Sequence, residues 1–256
     1  MERIIRPGSV KGQISAPASK SMTQRAIAAA ALAEGTSTIT NPSYCHDSLA
    51  GISIARNLGA EITQYNDKLI IKGSKKINGS ILDCGESGLA IRLYSPVAAL
   101  KEEKITLTGR GSLAKRPMGM IEDALKQLGV SCDTAGGFLP LTIKGPVKAG
   151  KCTIDGSVSS QLLTGMLMAL PLAGGDSEIT VLNLKSKPYI DMTLQLLNDF
   201  GITIISQGYR KFHIPGNQKY STRSYEVEGD WSGGAFLLVA GALNGNIKVK
   251  GLRTDS

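Results

Sequence analysis

Aromatic residues make up only 5% of this 256-residue chain, with a single tryptophan, and histidine occurs twice. A surface for nucleic acid needs basic side chains interleaved with exposed rings, so that class is disfavoured. His46 and His213 have no cysteine or carboxylate neighbours at ligand spacing, and a metal site is not expected. The four cysteines, Cys45, Cys84, Cys132 and Cys152, form no C-x-x-C pair and are too sparse for a disulfide scaffold. They read as reduced thiols of a cytosolic protein. No apolar run approaches the roughly 20 residues of a membrane helix, and the first eight residues lack the apolar core of a signal peptide. The longest apolar runs, around residues 26–33 and 166–173, have the length of buried helices. Catalytic signatures are missing as well. Asp230-Trp231-Ser232-Gly233-Gly234 lacks the first glycine of a hydrolase elbow, and Gly109-Arg110-Gly111 completes neither a P-loop nor a dinucleotide fingerprint.

What is present is a repeat. A helix ending in an apolar-glycine pair, then an alternating strand, then a closing glycine, occurs three times at a spacing of roughly 70 residues, longer than solenoid periods. Leu58-Gly59 leads to Gly73, Leu128-Gly129 to Gly145, and Phe200-Gly201 to Gly216. Each unit opens with a short strand, a turn containing serine or glycine, and a helix apolar nearly all round, over residues 26–32, 89–100 (with Pro96 as a kink) and 162–172. Such helices must be buried. The second helix of each unit is amphipathic, with Ile52, Ala55 and Leu58, then Ile121, Leu125 and Leu128, then Met192, Leu196 and Phe200 at helical spacing. Strands such as Ile105-Thr106-Leu107-Thr108 alternate apolar and polar. The expected unit is β-α-β-α-β-β, with helices inside and sheets outside.

Three such units about an approximate threefold axis would gather the N-termini of their core helices at one end, where uncapped N–H groups and helix dipoles favour an anion. The side chains at the openings agree with this, as does the excess of 29 basic over 21 acidic residues. Lys20, Arg25, Arg92, Arg116 and Lys187 stand there with Ser21, Ser159, Ser160, Gln161, Ser186 and Tyr189. Serines at helix starts also serve as simple N-caps; recurrence in three units favours a shared site.

A fourth opening, Glu228-Gly229-Asp230-Trp231, precedes another all-apolar helix at 235–243 and a strand at 247–250. A β-α-β segment cannot cover such a helix by itself, so more polypeptide is expected to follow residue 256, leaving the fourth unit unfinished. The expected organisation is a three-repeat domain at 13–225, with residues 1–12 and 226–256 belonging to a second domain.

At these residues the sequence resembles the 5-enolpyruvylshikimate-3-phosphate synthase family. The matching motifs are Ser19-Lys20-Ser21 with Arg25, Gly85-x-x-Gly88 with Arg92, Lys115-Arg116-Pro117, Asp155-Gly156-Ser157-Val158-Ser159-Ser160-Gln161, Ser186-Lys187-Pro188-Tyr189-Ile190-Asp191, and Val227-Glu228-Gly229-Asp230. They run in family order across nearly the whole chain. The related UDP-N-acetylglucosamine enolpyruvyl transferases share the fold but lack this set. The resemblance implies an inside-out α/β barrel of the enolpyruvyl transferase type, a domain of three βαβαββ repeats with buried helices and outer sheets. It implies transfer of the enolpyruvyl group of phosphoenolpyruvate to shikimate 3-phosphate in aromatic amino acid biosynthesis, by a cytoplasmic and monomeric enzyme, without cofactor or metal. Lys20, Ser21, Arg25, Ser159, Ser160, Gln161, Ser186 and Tyr189 would then bind shikimate 3-phosphate. Lys20, Gly88, Arg92, Arg116 and Gln161 would face phosphoenolpyruvate. The acid and base groups are expected beyond Ser256, so the chain by itself would bind substrate without turning it over. The alternative is a non-catalytic phosphometabolite-binding module of the same fold. The chain departs from the family pattern at Ala18, Glu86 and Leu89, and a carboxylate at Glu86 would weaken anion binding unless it is paired or turned away.

Overall fold

The computed structural model describes residues 8–74, 76–157 and 159–253. Val158 of the serine-rich motif, and the first seven residues of the expected 1–12 segment, lie outside the described residues. The elements run β1 (Val10–Ser15), α1 (Lys20–Leu32), β2 (Thr36–Thr40), α2 (His46–Asn57), β3 (Glu61–Gln64) and β4 (Lys68–Lys72). They continue with β5 (Ile81–Asp83), α3 (Gly88–Ala98), β6 (Lys104–Thr108), α4 (Gly119–Gln127), β7 (Ser131–Ala135) and β8 (Phe138–Lys144). Then come β9 (Lys151–Asp155), α5 (Gln161–Ala169), β10 (Ser177–Leu182), α6 (Lys187–Asp199), β11 (Ile205–Gln207) and β12 (Lys211–Ile214). Last are β13 (Ser224–Glu226), α7 (Trp231–Asn244) and β14 (Gly245–Lys250).

The three helices that are apolar on every face form the centre. Every residue of α3 is buried, as are residues 22–30 of α1 and 162–169 of α5. Pro96 sits within α3, whereas Pro171 lies in a 3-10 turn, Leu170–Leu172, that ends the α5 run early. The second helices bury one face each: Ile52, Ile54 and Ala55 of α2, Ile121, Ala124 and Leu125 of α4, Ile190, Thr193, Leu196 and Leu197 of α6. Met192, expected on that last face, is only partly buried.

Around the helices lie three four-stranded sheets, ordered β13-β2-β4-β3, β5-β6-β8-β7 and β9-β10-β12-β11. Their strands alternate in burial as the sequence does, turning Ile39, Leu69 and Ile71, or Ile105, Leu107 and Ile143, inward. The topology differs from the expected unit in one respect. The place held by β5 and β9 in the second and third sheets is held in the first by β13, parallel to β2 with Tyr225 opposite Ile39. The opening strand of the first unit, β1, pairs instead with β14, parallel from Val10–Gly245 to Ser15–Lys250. The divisions expected at 12/13 and 225/226 thus fall inside β1 and β13. Segment 224–226 closes a sheet begun nearly two hundred residues earlier, a pairing invisible to local pattern.

The closing glycines have a common physical reason. A Cβ on Gly73 would run into the carbonyl oxygen of Ala33, on Gly145 into those of Ala99 and Lys101, and on Gly216 into that of Gly175. Each unit brings its last strand back against the turn that follows its core helix, and only glycine permits that approach. No helix among the described residues is long and apolar enough to cross a membrane.

Gly216→Ala should therefore lower the urea-unfolding free energy by more than about 2 kcal/mol. The control is Gly119→Ala at the start of α4, where a Cβ would meet nothing within 4 Å. Its stability should equal or exceed that of the parent by less than about 1 kcal/mol.

Candidate functional site

The N-terminal ends of α1, α3 and α5 come together, and each polar side chain there is set by a specific turn. Ser19 caps α1 by accepting from the Met22 N–H, and Ser87 caps α3 by accepting from the Ala90 N–H. Ser160 stands at the same place on α5, 6% exposed, but its hydroxyl makes no capping bond. Ser159 supports the turn instead, its Oγ accepting from the Gln161 N–H at 3.1 Å.

Two arginines lie buried behind this rim. Arg25 is 1% exposed; its Nε donates to Thr193 Oγ1 at 2.9 Å and its Nη1 to the Ser21 carbonyl at 2.9 Å. Its Nη2 donates to Thr164 Oγ1 and to the Tyr189 carbonyl, both at 3.3 Å. Burial lowers its pKa to about 10. Arg92, 4% exposed, donates from Nη1 to the Gly88 carbonyl at 3.0 Å and to Gln161 Oε1 at 3.4 Å, while its Nε has no partner among the described residues. Burial, and then the charge of Arg116, push its pKa down. Neither guanidinium pairs with a carboxylate among the described residues.

Gly88 explains how the second arginine meets its neighbours. A Cβ there would stand 2.6 Å from Arg116 Nη1, 3.1 Å from Arg92 Nη1 and 3.5 Å from Gln161 Oε1. Two cations and an amide converge where a side chain would otherwise be. The crossing of α5 over α3 is equally tight, since a Cβ on Gly165 would clash with the Arg92 carbonyl. Backbone contact fixes Gln161 against Arg92. Arg116 itself is exposed, at the end of the 3-10 turn Leu113–Lys115.

Lys20 starts α1 but is not free. Its Nζ lies 3.1 Å from Asp47 Oδ2 of α2, and that hydrogen bond raises its pKa. Ser186 precedes α6 in the left-handed region at φ 60°, which costs a non-glycine residue roughly 1–3 kcal/mol and is held by its surroundings. Its carbonyl accepts from the Tyr189 N–H. The Tyr189 ring is exposed, while its carbonyl holds both Arg25 and Thr193. Lys187 Nζ lies over the Tyr209 ring, 5.3 Å from its centroid.

The departures at Glu86 and Leu89 resolve simply. Leu89 is buried core. Glu86 is exposed and turned to the next loop, where Oε2 accepts from the Ser112 N–H at 2.9 Å, and that backbone bond holds its carboxyl below the usual range. Ala18 bridges to Gly229. Sequence reading missed Gln24, Asp47, Ser87, Thr164 and Thr193. For Gln24 and Thr164 the available signal was a polar residue inside a helix that is otherwise apolar all round; Asp47 and Thr193, on the amphipathic helices, and the cap Ser87 carried no such mark.

Among the described residues no group of three metal-binding side chains occurs. A cavity of about 1190 Å³ lies at the opposite end of the core helices, lined by Leu32, Leu100, Leu172 and Tyr220. None of the clustered cations lines it. Chemically, two desolvated guanidiniums without counter-charge, ringed by hydroxyls, amides and helix N-termini, make a receptor for an anion with several oxygens.

Comparison with known proteins shows the family and the fold. Residues 4–256 match the family described as EPSP synthase (3-phosphoshikimate 1-carboxyvinyltransferase). The chain is 41% identical over 260 residues to the 3-phosphoshikimate 1-carboxyvinyltransferase of Clostridium botulinum (strain Eklund 17B / Type B), covering 98% of this chain and 60% of that protein. It is 39% identical to the Clostridium novyi (strain NT) protein of the same description, covering 100% of this chain and 62% of that one. The solved structure of EPSP synthase from Acinetobacter baumannii superposes with a TM-score of 0.85 at 28% identity, over 97% of this chain and 57% of that one. The chain thus spans about 60% of the length of the curated relatives it matches.

Because Arg92 is buried beside another cation without a carboxylate, Arg92→Met should raise the unfolding free energy of the unliganded protein by about 1–3 kcal/mol. Added inorganic phosphate should raise the thermal midpoint of the parent more than that of the variant, which keeps Arg25, Lys20 and Arg116. A variant no more stable than its parent would show that Gly88 and Gln161 already compensate the charge. The thiols give a second check. Burial pushes Cys84 up strongly, Cys132 to about 12 and Cys152 to about 11. At exposed Cys45 burial acts upward, but bonds from Ser48 and Ser43 outweigh it and the net shift is downward. Native protein at pH 8 should therefore react with a thiol reagent at Cys45 and leave the other three unmodified until it unfolds.

Proposed function

The chain belongs to the EPSP synthase family, and on that premise we propose that it supplies the shikimate 3-phosphate-binding half of an enolpyruvyl transferase. The reaction takes the enolpyruvyl group of phosphoenolpyruvate to a hydroxyl of shikimate 3-phosphate and releases inorganic phosphate. The observation that carries this reading is the pair of buried arginines, Arg25 and Arg92, neither with a carboxylate partner among the described residues. Both substrates bear a phosphate and a carboxylate, the groups such a receptor fits.

In this reading Arg25, held by the hydroxyls of Thr164 and Thr193 and the carbonyls of Ser21 and Tyr189, acts at the shikimate 3-phosphate side, with Ser21, Ser159, Ser160, Gln161, Ser186 and Tyr189 around it. Gly88, Arg92, Arg116 and Gln161 receive phosphoenolpyruvate. Lys20 serves both by exchanging Asp47 for a substrate oxygen; an exposed ion pair contributes only about 0–1 kcal/mol, so the exchange is cheap. Three-unit body and remainder are assigned to two domains. The β1–β14 pair with α7 forms the start of the second, in keeping with a two-stranded sheet separate from the other three. The transfer protonates a methylene carbon and takes a hydroxyl proton, and that acid and base are assigned to polypeptide outside residues 1–256.

Calorimetric titration of shikimate 3-phosphate into this chain should show weak, saturable binding. Gln161→Ala should weaken it about tenfold, the loss of one or two charge-linked hydrogen bonds. Phosphate release from phosphoenolpyruvate and shikimate 3-phosphate together should stay at background. Absence of binding removes the reading, and sustained phosphate release by this chain overturns its half-site part.

A further inference from the structure

Two long polar side chains stand next to each other in the middle of α1, Gln24 and Arg25, both fully buried. Arg25 reaches α5 and α6 through Thr164, Thr193 and Tyr189. Gln24, about 100° around the helix, turns the other way, toward α2 and α3. A Cβ on Gly51 of α2 would stand 3.6 Å from Gln24 Cγ and 3.8 Å from the Tyr94 hydroxyl of α3. That hydroxyl donates to the Gly51 carbonyl at 3.2 Å.

Gln24 makes one polar contact. Its Oε1 accepts from the Ser87 hydroxyl at 3.2 Å, and its Nε2 has no partner among the described residues. A buried amide with an unmet donor is a net cost where an apolar side chain of the same length would pack without one. Stability therefore does not account for it. Ser87 does. A serine hydroxyl has one proton to give and two lone pairs. With its proton held by Gln24, Ser87 keeps a lone pair on the Ala90 N–H at 3.1 Å, and its own N–H donates to the Cys84 carbonyl at 2.9 Å. The next residue is Gly88, and one turn further on is Arg92.

We infer that Gln24 is a positioning residue for the phosphoenolpyruvate end of the site: by taking the Ser87 hydroxyl proton it fixes the cap of α3, and with it the path of Gly88 and the seat of Arg92 against Gln161. Its claim on the ligand rests on the function proposed above. Its claim on the cap does not. The α1 helix thereby joins the two ends of the site through adjacent residues, Arg25 to the third unit and Gln24 to the second.

The test is Gln24→Met in this chain, which keeps length and removes both the acceptor and the unmet donor. Amide exchange at Ala90 should quicken about fivefold or more, as expected for the loss of an oriented hydrogen bond, while Ile27 and Leu93 exchange as before. Phosphoenolpyruvate affinity should fall about five- to tenfold and shikimate 3-phosphate affinity less than twofold. Ser87→Ala should reproduce the loss, and the double variant should be no weaker than Ser87→Ala alone. Unchanged exchange at Ala90, equal acceleration across α1 and α3, or equal loss of both ligands would overturn the inference. A parent chain that binds neither ligand would defeat the proposed function alone, and the Ala90 exchange would then decide the positioning role.

Discussion

A helix that is apolar on every face has nowhere to go but the middle of a protein, and this chain contains three that find that place. Packed against one another as α1, α3 and α5, they leave no room in the centre for sheet, so the strands are forced outward and cover the helices with one face only. That constraint sets the rest. Each closing strand must return to the turn after its core helix, which demands glycine at 73, 145 and 216. Each core helix must also point the same way, which brings three N-termini and their partial positive charge to one end.

Against that apolar background the few polar residues in the helices acquire their meaning. Arg25, Gln24, Arg92 and Thr164 lie within stretches that hydrophobic burial alone would fill with alanine and leucine. The guanidiniums are desolvated and lack carboxylates, an arrangement that lowers stability in the absence of an anion and gains from its arrival. The seventh helix shows the converse. It is as apolar as the other three, but β1 and β14 cover only part of it, and Phe236, Val239 and Leu243 remain exposed. Only the helices surrounded by sheets are buried.

Much of this was legible along the chain. The period of about 70 residues, the all-round apolar helices, the amphipathic second helices and the recurrent glycines all depend on spacings of a few residues, and each reappears in the structure. Lys20, Arg25, Arg92, Arg116 and Lys187 could be read together because they stand at the recurring openings, whereas the set Lys20, Gly88, Arg92, Arg116 and Gln161 rests on the family resemblance. Other features were not legible. The replacement of β1 by β13 in the first sheet pairs Ser224–Glu226 with Thr38–Thr40. The Lys20–Asp47 pair, the left-handed Ser186 and the turning of Glu86 to Ser112 depend on loops whose course no periodicity records.

The sequence by itself determined which segments are helix and strand and which helices are central, because burial pattern is a property of single elements. Only the tertiary structure decided which cations are buried and which are paired. Arg25 meets Thr193 across 168 residues, and Arg92 meets Gln161 across 69. Desolvation and hydrogen-bond partners come from such neighbours, and with them the difference between a solvated surface arginine and one that waits for an oxyanion.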